Sequence, residues 1–127
     1  MIPFSRHNIS QNDVSSVIKV LKSDYLTKGY QVPKFEKKLS QITKSKYVIA
    51  CNSATSALHL ACMALGLKKN DIVWTSTNTF AASSNCALNC GCKIDFIDID
   101  KNTWNICVVE LEKKLKIAAK KKNYLKL

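Results

Sequence analysis

The residues best able to do chemistry sit where short apolar runs end. The run Tyr47-Val48-Ile49-Ala50-Cys51 gives way to Asn52-Ser53-Ala54-Thr55-Ser56, after which a helical pattern begins. Small side chains let a ligand approach the backbone closely. The first N–H groups of a helix have no partner inside it, and the helix dipole adds partial positive charge there. Together these features make an anion site suited to a phosphate group, with the Thr55 and Ser56 hydroxyls as further donors. A plainer role fits the same residues, in which Ser53 only caps the helix.

A second turn, Thr77-Asn78-Thr79-Phe80, places an aromatic ring just past another apolar run. Such a ring can stack on a flat heteroaromatic ligand, or it can be ordinary core. A third turn carries Asp98 and Asp100 in the pattern D-x-D-x-x-T. Paired carboxylates can serve acid–base chemistry, but here Asx-type bonds to the backbone account for both residues. His7 and His59 have no Ser or Cys partner in a triad-like arrangement. Cys86, Cys90 and Cys92 form C-x3-C-x-C, which is not a zinc spacing, so the expectation is small buried side chains and no metal.

These turns need elements to hold them. Ser10 with Asp13 three positions later signals a capping box and a helix ending near Ser23, with Val14, Val17, Ile18 and Leu21 on one face. Asp24 to Val32 read as a loop pivoting on Gly29, and Pro33 suits the first turn of a second helix bearing Phe35, Leu39 and Ile42. The run 47–51 has the continuous apolar character of a strand covered on both faces. A helix over about 54–65 stopped by Gly66, a strand at 72–76, a helix over about 79–89 stopped by Gly91 and a strand at 93–97 follow. A Lys-studded helix over 108–122 closes the order, with Leu111, Leu115 and Ala118 turned inward. Strands alternating with helices predict an α/β fold, three layers (α/β/α) around a mostly parallel sheet, in which ligands gather at the carboxyl ends of the strands. The expected division is an N-terminal arm and helices over 1–45 and a sheet-forming part over 46–127.

Composition and charge narrow the function classes. The net charge is +11, and only one of the 20 basic residues, Arg6, is arginine. The excess divides into +6 over residues 1–50, zero over 51–109 and +5 over 110–127. Arginine is the better reader of phosphates and base edges, so solvated Lys on helix faces is the expectation rather than nucleic-acid binding. No apolar run approaches the roughly 20 residues needed to cross a bilayer, and residues 1–10 lack the basic and apolar regions of a secretory signal, so a cytoplasmic protein is expected. With three glycines, Gly29, Gly66 and Gly91, neither G-x-G-x-x-G nor G-x-x-x-x-G-K-[ST] can be written, which counts against dinucleotide enzymes and P-loop NTPases.

In this order, the stretches IPFSRHNIS, VLKSDYLTKG, VPKFEKKL, YVIACNSATSALHLACMALGL, TSTNTFAASSNCALNCGCKIDFIDID and LEKKLKIAAKKKN resemble the DegT/DnrJ/EryC1/StrS family of sugar aminotransferases that use pyridoxal 5′-phosphate (PLP). NSATSALHLA and TFAASSNCALNCG are most similar to the branch making UDP-4-amino-4,6-dideoxy-N-acetyl-β-L-altrosamine, an intermediate toward pseudaminic acid. The resemblance implies the N-terminal part of a type I PLP aminotransferase major domain. It implies that Ala54, Thr55 and Ser56 hold the PLP phosphate and that Phe80 stacks on its ring; many members have Gly in place of Ala54. It further implies nucleotide-sugar contacts at Phe4, Asp24, Tyr25, Leu26 and Thr27. The implied reaction transfers an amino group, usually from glutamate, to a keto carbon of a nucleotide-linked sugar, in a homodimer. The acidic partner of the pyridine nitrogen and the lysine that anchors the cofactor are expected beyond residue 127, leaving the chain inactive and marginally stable alone. Two other functions remain open on the sequence: a PLP-dependent sugar dehydratase of the same fold, and a non-catalytic basic binding fragment.

Overall fold

The computed structural model describes residues 2–3 and 5–120, and the chain forms two compact units, residues 1–50 and 51–127.

In the first unit, α1 (Gln11–Leu21) begins with the expected capping box. The Ser10 N–H donates to Asp13 Oδ2 at 2.7 Å and the Asp13 N–H donates to Ser10 Oγ at 3.3 Å. The Ser10 N–H and the Ser10 hydroxyl, which also donates to Asp13 Oδ2 at 2.7 Å, hold the Asp13 carboxyl below its ordinary range. The loop that follows turns on Lys28, which is left-handed at φ 54°, and not on Gly29. Gly29 is needed for a different reason: a Cβ there would lie 3.0 Å from the Tyr25 carbonyl oxygen. α2 (Gln31–Thr43) starts two residues ahead of Pro33 and stops at left-handed Lys44. The run expected as a covered strand at 47–51 pairs with no strand among the described residues. Glu36 anchors it instead, accepting the Ala50 N–H at 2.8 Å, while Tyr47 and Ile49 stand 78% and 81% exposed. The run has the composition of a buried strand, but a strand exists only through its ladder, and no ladder partner occurs among the described residues.

In the second unit, α3 (Ala54–Ala64) ends in a Schellman turn. Gly66 sits at φ 72°, its N–H donates to Met63 O at 2.9 Å, and the Leu67 N–H donates to Cys62 O at 3.2 Å. β1 (Ile72–Ser76) and β2 (Lys93–Ile97) pair in parallel, from Ile72↔Lys93 to Ser76↔Ile97. α4 (Ala82–Asn89) makes the crossover, and Gly91 at φ 79° repeats the Schellman device with the Cys92 N–H on Ala87 O at 3.1 Å. α4 starts three residues later than its sequence pattern predicts, which leaves Thr79 and Phe80 outside the helix. α5 (Val108–Lys120) follows, and residues 121 and 122 of the expected helix lie outside the described residues.

The core is small: Ala82, Cys86, Ala87, Cys92, Ile97 and Ala118 are its buried members. α4 covers both strands, and α3 packs on α4. Lys114 fastens α5 to the sheet. Its Nζ meets Asp95 Oδ2 and the Phe96 carbonyl, each at 2.6 Å, and lies 5.9 Å from the centre of the Trp74 ring. Trp74 and Asp95 are register partners, so one ammonium group grips adjacent positions of both strands.

Candidate functional site

The N-terminus of α3 is open to solvent. Ser53 is the N-cap, extended at φ −158° and ψ 157°, and its hydroxyl oxygen accepts the Ser56 N–H at 3.1 Å. Ser53 thus does cap the helix, and one of the three amides is used within the protein. The Ala54 and Thr55 N–H groups have no acceptor among the described residues, and both residues are exposed. The Ser56 oxygen accepts from Ser53 Oγ at 3.0 Å, which leaves the Ser56 hydroxyl hydrogen free to donate elsewhere. No acidic residue stands in the first turn of α3. α1 differs, because Asp13 fills its own N-terminus. The positive end of α3 is therefore free for an outside anion.

Phe80 lies just ahead of α4 and is 69% exposed, so it is not core here. Its turn is stiffened by the Ser83 N–H on Phe80 O at 2.9 Å and by Thr79 Oγ1 donating to Ser83 Oγ at 3.2 Å.

Chain direction carries both turns toward one edge of the sheet. The segment after α3 is tied to the amino end of β2, through Cys92 Sγ on Lys68 O at 3.4 Å and the Lys93 N–H on Asp71 O at 2.8 Å. α3 has 11 residues, about 16 Å of helix, and β1 has five, about 16 Å of strand. Running back alongside α4, α3 therefore brings its N-terminus level with the carboxyl ends of the strands. Phe80 follows the carboxyl end of β1 directly. The C-terminal halves of α3 and α4 meet around Cys62, Cys86 and Cys90; burial and the neighbouring thiols push Cys62 up to about 11. All six cysteines are free, and no cluster of metal-ligating side chains occurs among the described residues.

The third turn is structural. Asp100 Oδ1 accepts from the Asn102 and Thr103 N–H groups at 3.0 and 2.9 Å and from Thr103 Oγ1 at 3.1 Å, and these bonds lower its pKa. Asp24, Tyr25, Leu26 and Thr27 form an exposed loop in the first unit, with the Tyr25 carbonyl accepting from Ser23 Oγ at 3.4 Å. Phe4 lies outside the described residues. Sequence reasoning missed two features here. Ser76 Oγ is buried at the end of β1 with no partner among the described residues, and Trp104 is held left-handed at φ 60°.

Residues 7–122 match the DegT/DnrJ/EryC1/StrS aminotransferase family. The chain belongs to that family. A UDP-4-amino-4,6-dideoxy-N-acetyl-beta-L-altrosamine transaminase of Campylobacter jejuni is 48% identical over 115 residues, which cover 91% of this chain and 30% of that protein. A sugar aminotransferase of Streptococcus pneumoniae in its PLP form superposes with a TM-score of 0.85 at 29% identity, over 88% of this chain and 29% of the other. A GDP-4-keto-6-deoxy-D-mannose-3-dehydratase of E. coli with bound hydrated PLP gives 0.82 at 26% identity, over 87% and 30%. The chain thus spans about 30% of the length of these relatives and has the α/β fold of their PLP-binding domain. PLP is the family's cofactor, and the residues present suit it: two donor amides and a free hydroxyl at a helix N-terminus match a phosphate, and an exposed ring at the same sheet edge matches a pyridine.

Proposed function

We propose that this chain is the N-terminal part of an enzyme that transfers an amino group to a keto carbon of a nucleotide-linked sugar. Residues 1–127 would form part of one larger PLP-binding domain. The supporting observation is the open N-terminus of α3, where Ala54 and Thr55 keep unpaired amides at the sheet edge that also carries Phe80. In this reading, the Ala54 and Thr55 N–H groups and the Ser56 hydroxyl bind the phosphate, and Phe80 covers one ring face and excludes water from it. Bound PLP would supply the electron sink that amino transfer requires. The exposed Asp24–Thr27 loop, with Phe4, would contact the nucleotide-sugar.

The 48% identity to the Campylobacter transaminase supports a UDP-linked sugar like the one in that protein's name as the substrate. A place in pseudaminic acid synthesis, a glutamate donor and a homodimer complete the proposal, as the family resemblance implies. Six free cysteines suit a reducing cytoplasm. The dehydratase likeness supports a second reading, in which the same phosphate and ring contacts serve elimination of a sugar hydroxyl. Under the aminotransferase reading the chain alone would bind the cofactor without turning over, since the lysine that anchors it is expected in another part of the family's fold; under the dehydratase reading that lysine would be replaced.

Calorimetric titration tests the binding claim. Pyridoxamine 5′-phosphate is the suitable probe, because it has no aldehyde to condense with the chain's lysines. It should bind at least about tenfold more tightly than pyridoxamine, which lacks the phosphate acceptors of charge-assisted bonds. Equal affinities would rule the phosphate site out.

A further inference from the structure

We propose that Cys62 of α3 and Cys86 of α4 are a redox-sensitive pair, which a low-molecular-weight disulfide converts into a bridge between the two helices. The pair stands whether or not the PLP reading holds. α3 packs on α4, and burial shows which residue of its last turn faces that way. Leu60, Ala61, Met63 and Ala64 are exposed, whereas Cys62 among them is half-buried. On α4, Cys86 is 4% exposed, and its thiol lies beside that of Cys62. The buried members of α4 are Ala82, Cys86 and Ala87, all small, so the helices can approach closely. Close approach suits the Cα separation of about 4.4–6.8 Å that a bridge requires. Both thiols are free, and Cys86 Sγ is engaged only in a weak bond to Ser83 O at 3.4 Å. Cys92 is held elsewhere, its Sγ donating to Lys68 O at 3.4 Å.

The chemistry is thiol–disulfide exchange in two moves. Cys62, the more accessible of the two, loses its proton and attacks one sulfur of the reagent, which leaves a mixed disulfide and releases one small thiol. The Cys86 thiolate then attacks the Cys62 sulfur, closing the bridge and releasing the second thiol. Two protein thiols are oxidised, and the reagent's disulfide is reduced to two thiols. Burial and the neighbouring thiols hold Cys62 at about 11, so its thiolate is scarce at neutral pH and the first move is slow there. The second move joins groups already side by side, so the mixed disulfide does not accumulate. The bridge would fasten together the two helices whose starts carry Ala54 and follow Phe80.

Oxidised glutathione is the probe. Incubated with the chain, it should give a product lighter by two hydrogen atoms, in which digestion finds the α3 and α4 peptides joined through Cys62 and Cys86. The product should form about tenfold faster for each pH unit between about pH 7 and 9, as thiolate accumulates below the Cys62 value. It should melt at least about 5 °C higher than the reduced chain, because the bridge closes a long loop in the unfolded state, and dithiothreitol should reverse the gain. Cys62→Ala and Cys86→Ala should each abolish the bridge, and Cys90→Ala should leave it; a melt in reductant shows whether each variant is folded, and the digest of the parent decides if one is not. A bridge through Cys90 or Cys92, or a chain that gains only glutathione and no internal bridge, would overturn the proposal.

Discussion

Ala54 is the first helical residue of α3, and its N–H is one the helix cannot use. Proline is well tolerated at this position, and the extended Ser53 before it already has the backbone that a following proline demands. Ala54→Pro should therefore keep or raise the melting temperature while lowering affinity for pyridoxamine 5′-phosphate about tenfold or more, as loss of a charge-assisted bond requires. A calorimetric titration paired with a melt would show both effects; unchanged affinity would mean that this amide holds nothing. Trp104 presents the opposite case, a strained residue with little to gain from its side chain. It is left-handed at φ 60° and 66% exposed. Trp104→Gly should stabilise the chain by up to about 1 kcal/mol in a denaturant melt, because glycine adopts that backbone without the Cβ penalty. Destabilisation would show that the indole is packed against something. Of these positions, the helix start at Ala54 was legible in the sequence, since Ser53 and the small residues after it announce it. Trp104 was not, because nothing in its type predicts φ > 0.

Among the elements, helices with their own punctuation were the readable ones. Ser10 and Asp13, Gly66, and Gly91 mark their ends by chemistry local to a few residues, and the structure puts α1, α3 and α4 at those stops. The run 47–51 misled because strand formation depends on a distant partner that local composition does not reveal. The start of α4 slipped by three residues, because Thr79 and Phe80 stay in the turn, where the Thr79 hydroxyl bonds Ser83 Oγ. The attachment of α5 was equally hidden, since it depends on one lysine reaching two strands. Lys114→Met should expose α5 to faster hydrogen exchange over 108–120 and leave α3 unaffected; uniform protection in the variant would refute the anchoring role. The same contact predicts acid sensitivity. Lys114 lowers the Asp95 pKa, so this contribution is complete above the ordinary carboxylate value of 3.8 and is lost as pH falls through the lower folded value. Exchange in α5 should accordingly quicken below about pH 4 in the parent and change little in the variant.

For the molecule as a whole, the net charge of +11 says less than its placement. Three of the lysines in α5 are occupied: Lys113 with Glu110 at 2.7 Å, Lys116 with Glu112 at 2.6 Å, and Lys114 on the sheet. The apolar side chains say more: Val14, Val17, Ile18 and Leu21 of α1, with Phe35 and Ile42 of α2, are exposed although their spacing is that of a buried face. Sequence periodicity shows that a face wants cover, but not which element provides it. That limit separates the class of the fold, which was legible, from the packing of its first unit, which was not.

The most direct test follows backbone amide resonances of the ¹⁵N-labelled chain as pyridoxamine 5′-phosphate is added. The Ala54 and Thr55 signals should move with the phosphorylated compound and stay still with pyridoxamine. Shifts confined to other residues, or the same shifts with both compounds, would contradict a phosphate bound at the N-terminus of α3.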